Sequence, residues 1–203
     1  IIKIVGQEVE GRKIEEKITR IMDVACGSGR YLSELDSIFN QAGIEIIGID
    51  YDTKSLKLGR SIAETYGVSE RSLRFIKGNV FRLEHLKRFG VKINWRPHIV
   101  VASGLVEYLD DERTRDAFKQ AYEGLDDEGM FLFVRQENNP SRKLMEKVCT
   151  TSSGAWILHY RRPAVLHRWL SDVGFREIRI NTDRWGMYDM FVVRKYAISE
   201  RKI

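Results

Sequence analysis

Residues Ile21-Met22-Asp23-Val24-Ala25-Cys26-Gly27-Ser28-Gly29-Arg30 join a short apolar run, a carboxylate and two closely spaced glycines. A run of this kind entering a glycine turn ahead of a helix lets a ligand approach the backbone. Glycine has no Cβ to hold it off, and the first turn of the helix leaves N–H groups free. The same turn also serves as a plain strand-to-helix connection, so the motif gains meaning only from what accompanies it. The dinucleotide fingerprint asks for a third glycine three residues after Gly29, where this chain has Leu32. No Gly-Lys-Ser/Thr follows, as a phosphate-binding P-loop would require.

Three further sites follow in order. Asp50 ends the apolar run 45–49, 21 residues beyond Gly29, where a carboxylate can accept both hydroxyls of a ribose; the alternative is a cap on the helix that opens near Thr53. Tyr51 beside it suits the face of an adenine or a plain surface. Gly78-Asn79-Val80-Phe81 follows the third run; the Asn79 amide suits an adenine edge with Val80 or Phe81 against the ring, or a simple turn. Ser103-Gly104-Leu105 follows the fourth run as a small-residue loop opening a crevice. Four such sites at the ends of four successive runs are harder to assign to connection alone than any one of them.

The elements that must position these residues are legible as a pattern. Apolar runs at 20–24, 45–49, 73–76, 99–102, 130–134, 175–180 and 187–193 are short and rich in Ile, Val and Phe, and read as strands. Segments 31–41, 53–66, 111–125 and 164–173 repeat their apolar residues at helical spacing, with Gly43, Gly67 and Gly174 just past three of them as helix stops. Strand and helix in alternation predict a parallel sheet covered on both faces. The last two runs are joined only by the polar segment 181–186, too short for a crossover helix, so they should pair antiparallel.

Together these features resemble the class I S-adenosylmethionine-dependent methyltransferases over about residues 20–195. The glycine motif from Asp23 looks like their first motif, Asp50 their ribose-binding acid, Gly78-Asn79-Val80 their adenine motif and Ser103-Gly104-Leu105 their loop after the fourth strand. Ala25 stands where the family often has Gly, and Asn79 where Asp is commoner. The resemblance implies a Rossmann-like α/β fold with a seven-stranded sheet in the order 3-2-1-4-5-7-6, parallel except for the C-terminal antiparallel hairpin. It implies S-adenosylmethionine as cofactor and S-adenosylhomocysteine as product. The cofactor would lie on Asp23, Ala25, Cys26, Gly27, Gly29, Arg30, Asp50, Tyr51, Asn79, Val80, Ser103, Gly104 and Leu105. Residues 1–19 would be an N-terminal extension and 20–203 one methyltransferase domain. A finer likeness, carried by Ser103-Gly-Leu-Val-Glu-Tyr, the run from Gly154 to Arg162, Asp172-Val-Gly-Phe-Arg and Asp183-Arg-Trp-Gly-Met-Tyr, is to a little-characterised, mainly bacterial methyltransferase family whose name carries no substrate.

The acceptor side is less determined. The connection from the fifth run to the hairpin gathers Gln136, Asn138, Trp156, His159, Tyr160, Arg161 and Arg162, with Trp185 and Tyr188 in the hairpin. Aromatic residues beside two arginines suit a pocket wall with a clamp for an anionic group on Arg161 or Arg162. Catalytic candidates are Glu107, His159 and Tyr160; a carboxylate at a helix start and a lone histidine in an apolar stretch also have structural readings. The adjoining prolines of amino-directed DNA methyltransferases are missing, since Pro97, Pro140 and Pro163 stand apart. Cys26 lies inside the glycine turn and Cys149 on an expected helix, so both are badly placed as nucleophiles toward cytosine, and Ser103 occupies the place where a metal-assisted O-methyltransferase wants an acid. No metal spacing is present. Elimination leaves a small-molecule or lipid-like acceptor, with an RNA-binding methyltransferase or a non-catalytic S-adenosylmethionine-binding module as alternatives.

Composition agrees with a globular chain. In 203 residues, 43% are hydrophobic and 31% charged, and 34 Lys and Arg against 29 Asp and Glu leave a net charge of +5. A modest basic excess with interspersed acids permits a nucleic-acid partner without requiring one. The longest stretch free of charged residues lies between Lys147 and Arg161 and is rich in Thr, Ser and Gly, so no membrane span is expected. Two cysteines make no disulfide framework, and the charged segment 7–17 is no secretory leader, so a cytoplasmic setting is expected.

Overall fold

A computed structural model describes residues 1–13, 18–39, 43–79, 95–136, 139–151 and 154–196. The parallel strands are β1 (Thr19–Val24), β2 (Ile44–Asp50), β3 (Leu73–Lys77), β4 (Ile99–Ala102) and β5 (Met130–Gln136). Nearly all their residues are buried, as expected of parallel strands covered on both faces. Two more, β6 (Arg176–Thr182) and β7 (Tyr188–Arg194), complete one sheet in the order β3-β2-β1-β4-β5-β7-β6. β7 runs antiparallel to β5, pairing Phe133 with Phe191 and Gln136 with Tyr188, and β6 runs antiparallel to β7. The hairpin turn is held by Asp183, whose Oδ1 accepts from the Met187 amide at 2.7 Å, and by Gly186 at φ +65°. The expected topology and the terminal hairpin are thus present.

Five helices cover the sheet, α1 (Ile2–Lys13), α2 (Arg30–Phe39), α3 (Thr53–Thr65), α4 (Asp111–Gly124) and α6 (Pro163–Val173), while a further described helix, α5 (Arg142–Val148), stands off it with no buried residue. Val5, Val9, Leu32, Leu35, Leu56 and Ala63 of α1–α3 pack on one face, over Ile21, Ile46, Ile99 and Leu132. On the other face, Phe118 of α4 and Leu166, Trp169 and Leu170 of α6 pack with Phe131, Phe133, Phe175 and Phe191. The residues ahead of β1, expected as an extension, form α1: Val5 and Val9 are fully buried, and Arg194 of β7 donates to Glu8 at 2.6 Å. The helix expected at Cys149 is α5, which ends just before it; the two-residue strands Thr150–Thr151 and Gly154–Ala155 that follow were absent from the sequence reading.

Candidate functional site

All four sequence motifs reach the carboxyl ends of β1–β4. After β1 the backbone turns through positive φ at Ala25 (58°), Gly27 (57°) and Gly29 (52°). Gly29 needs the absence of a side chain for packing, since a Cβ there would lie 2.7 Å from the Phe75 ring. Gly27 is different: a Cβ there would meet nothing within 4 Å, so its missing side chain leaves open space at the mouth of the turn. Ala25 holds its left-handed conformation as a non-glycine residue, a modest strain stored at the turn.

Asp50 ties the turn to the neighbouring strands. Its Oδ2 accepts from the Gly27 amide and its Oδ1 from the Asp52 amide, each at 2.8 Å, and its own carbonyl accepts from the Gly78 amide at 2.9 Å. The helix-cap alternative falls to another residue. Asp52 caps α3, accepting from the amides of Lys54 at 3.1 Å and Ser55 at 3.0 Å. Asp50 is therefore a buried carboxylate whose oxygens keep lone pairs beyond the two used by the chain.

Asp23 is fully buried, and among the described residues neither of its carboxyl oxygens has a hydrogen-bond partner; the Tyr31 hydroxyl beside it is also buried without a formed bond there, near enough to favour the carboxylate. Burial pushes Asp23 up to about 8, and the Asp50 charge adds to the rise. With its carboxyl at about 8, Asp23 holds its proton at neutral pH, so Asp50 is the group at this edge with acceptor capacity for a ligand's hydroxyls. Cys26 is buried against Gly48, and burial, with Asp23 and Asp50 near, drives its thiol far up, so it is no nucleophile. Arg30 opens α2 and points to Glu34, 3.4 Å away, at the surface. Tyr51, Asn79 and Gly104 are exposed, and Ser103 and Leu105 are half-buried. Val80, Phe81 and Asn138 lie outside the described residues.

Past β4 the chain forms a one-turn 3-10 helix, Val106–Tyr108. Glu107 is 5% exposed, and its Oε2 has no hydrogen-bond partner among the described residues. Burial pushes its carboxyl up to about 7, against the opposing pull of its own backbone amide and of Arg161. The segment from Trp156 to Arg161 lies against this turn. The His159 amide donates to the Glu107 carbonyl at 2.7 Å, and the Trp156 and Tyr108 rings stack at 6.4 Å. The Tyr160 hydroxyl donates to Gln136 Oε1 at 3.4 Å, and Gln136 pairs with Tyr188 in the sheet. Glu107, Gln136, Trp156, Tyr160 and Tyr188 thus converge. The His159 side chain is exposed, Trp185 stands exposed at the hairpin turn, and Arg162 is exposed at the start of α6.

Arg161 occupies a different place from a substrate clamp. It is buried, with Nε donating to Asp111 at 2.8 Å, Nη1 to the Val106 carbonyl at 3.0 Å and Nη2 to the Leu109 carbonyl at 2.5 Å. Its guanidinium fastens the turn that carries Glu107. Behind it, Arg135 donates to the Arg161 carbonyl at 2.6 Å and forms a buried ion pair with Asp189 at 2.5 Å. Arg135, Asp189, Asp111 and Tyr31 were absent from the sequence reading. The available signal was a charged residue inside each of two otherwise apolar runs, Arg135 in β5 and Asp189 in β7.

The comparisons with known proteins agree with this geometry. A family model described as "Putative methyltransferase" matches residues 1–195. A relative from Geobacillus sp. (strain WCH70), described in the same words, is 27% identical over 114 residues, which are 56% of this chain and 41% of that protein. The chain thus spans under half the length of that relative. Among solved structures, an O-methyltransferase family protein from Burkholderia thailandensis superposes with a TM-score of 0.69 at 14% identity, over 98% of this chain and 58% of that one. Magnesium protoporphyrin IX methyltransferase from Synechocystis PCC 6803, solved with S-adenosylhomocysteine bound, gives 0.65 at 13% identity, over 96% and 82%. These likenesses show the fold, and the family match over nearly the whole chain shows the kinship: the chain belongs to this methyltransferase family.

Proposed function

We propose that this chain transfers a methyl group from S-adenosylmethionine to a protic small-molecule acceptor, with Asp50 holding the cofactor's ribose and Glu107 receiving the acceptor's proton. The observation that carries the reading is the Asp50 carboxylate, locked by the Gly27 and Asp52 amides beside the open space at Gly27. A carboxylate fixed by two backbone donors is pre-oriented, so accepting two ribose hydroxyls costs little reorganisation. S-Adenosylmethionine, when bound, supplies a methyl group already activated on a sulfonium. The magnesium protoporphyrin IX methyltransferase that shares this fold holds the product such a reaction leaves.

The chain's own part is then positioning, exclusion of water and proton removal. Trp156, Tyr160, Tyr188 and Gln136 line the acceptor side in this reading, and Trp185 stands at its rim. Glu107 is the favoured base among the three candidates. It is buried with a free oxygen and a carboxyl near 7, so it takes up a proton readily at neutral pH. Tyr160 is raised from its ordinary value, chiefly by burial, and keeps its proton. Arg161 braces the Glu107 turn, which leaves the exposed Arg162 as the cation of that pair able to meet an anionic group. The test is titration calorimetry with S-adenosylmethionine, followed by a mass-spectrometric screen of cell extract for a product heavier by one methylene. Saturable binding with a methylated product supports the reading. Binding with no product in any extract makes the chain a binding module, and absence of binding removes the reading altogether.

A further inference from the structure

We propose that the carboxyl edge of the sheet, where α5 and the β6–β7 turn emerge, docks on an anionic lipid surface. Helix α5 has no buried residue. Leu144 and Val148 lie one turn apart on it and are 62% and 65% exposed, so the helix turns an aliphatic stripe outward rather than inward. Lys143 and Lys147 form the adjoining stripe, also exposed. Beyond α5, Ile157 is 58% exposed, and Trp185 at the hairpin turn is 70% exposed with the Arg184 guanidinium 4.0 Å over its ring. The pairing of Gln136 with Tyr188 places the exit toward α5 and the hairpin turn at the same edge.

Charge decides the occupant. Between Asn139 and Arg162 the sequence carries five Lys and Arg and one acid, Glu146, so this segment holds most of the chain's net charge of +5. Arg161 is used internally and Arg142 pairs with Glu146 at 2.8 Å, which leaves Lys143, Lys147 and Arg162 facing out. Aliphatic side chains flanked by ammonium groups complement the boundary between acyl chains and anionic head groups. A nucleic acid would use the charges and Trp185 but offers nothing to Leu144, Val148 and Ile157. A second copy of the chain would need a larger patch than these four side chains make. Among the described residues no helix is long and apolar enough to cross a membrane, so the contact is with the surface.

The proposal goes beyond methyl transfer and is tested without S-adenosylmethionine, so its failure would leave that reading intact. The full chain is floated with vesicles of phosphatidylcholine alone and with vesicles in which about a third of the lipid is phosphatidylglycerol. The expected result is binding at least about tenfold tighter to the anionic vesicles, weakening as salt is raised. Leu144→Ser with Val148→Ser, and separately Lys143→Glu with Lys147→Glu, should each weaken it at least about fivefold. Ile38→Ser, on α2 and as exposed as Ile157 but beside Glu34, should leave it unchanged. No flotation, equal flotation with both vesicles, or indifference to both double variants would overturn the proposal. So would capture of single-stranded RNA that these variants weaken while vesicle binding stays absent.

Discussion

The carboxyl ends of β1–β3 and the carboxyl ends of β4, β5 and β7 are built by different means. At the first, backbone does the joining: Gly27, Asp52 and Gly78 amides bond to Asp50, and the Cys26 amide bonds to the Ile49 carbonyl at 3.0 Å. The one side chain that joins them, Asp50, is short and bonds only to backbone amides. At the second, long side chains reach across the fold. Arg161 spans 50–55 positions in sequence to Asp111 and Val106, and Arg135 spans 54 to Asp189. The contrast fits the proposed division of labour: a cofactor of constant shape suits constant backbone geometry, while an acceptor site suits side chains that differ from one protein to the next.

Substitutions can break or sharpen this comparison. The largest effect is expected at the backbone-built end. Gly27→Val places a branched side chain in the open space and in a left-handed conformation. Its dissociation constant for S-adenosylmethionine should rise more than about a thousandfold, ~4 kcal/mol. The fold should survive by circular dichroism, since among the described residues beyond its chain neighbours a Cβ at Gly27 meets nothing within 4 Å. Loss of the fold would make Gly27 a purely structural glycine.

At the side-chain-built end, Glu107→Gln should lower kcat by about a hundredfold or more, with cofactor affinity unchanged. In the wild-type protein kcat should fall below pH of about 7 as Glu107 takes up its proton, and the variant should lack that limb. Stability carries the matching sign. The folded carboxyl sits at about 7 against an ordinary 4.5, so the native state keeps a proton the unfolded chain has lost. Its contribution is full below 4.5 and is lost as pH rises toward 7, and Glu107→Gln should be the more stable protein above pH 7. Equal urea midpoints for the two proteins at pH 8 would count against the burial argument.

Asp189→Asn tests the brace behind that turn. It leaves the Arg135 guanidinium buried without its counter-charge, at a cost of about 3 kcal/mol in denaturant unfolding. A change within experimental scatter would mean water reaches the pair. The smallest effect is expected at Ala25. Glycine at φ 58° relieves local strain, so Ala25→Gly should stabilise the protein by at most about 1 kcal/mol, with cofactor affinity nearly unchanged.

The same contrast explains what could be read from sequence. Asp23, Gly27, Asp50, Asn79 and Ser103 each stand within a few residues of a recognisable apolar run, so their order along the chain reports their place at the sheet edge. The terminal hairpin was legible for the same local reason, a six-residue polar link with no room for a helix. Arg161 was not. Its neighbours in sequence, Tyr160 and Arg162, suggest a pocket wall, and only the fold brings Val106, Leu109 and Asp111 to its donors. Helix α1 was missed because its buried Val5 and Val9 are one turn apart among Lys, Glu and Arg, a weak apolar stripe. Helix α5 buries no residue at all, so the sequence indicated a helix at Cys149 but offered no inward pattern to bound it.

The central claim is that Asp50, locked beside an open glycine turn, holds the ribose of S-adenosylmethionine. Titration calorimetry of the wild-type chain and of Asp50→Ala with S-adenosylmethionine tests it most directly. The account predicts one saturable site in the wild type and an affinity about a hundredfold lower in the variant, ~2.7 kcal/mol, from lost charge-assisted hydrogen bonds and a loosened Gly27 amide. Equal affinities in the two proteins, or no binding by a folded wild type, would contradict it.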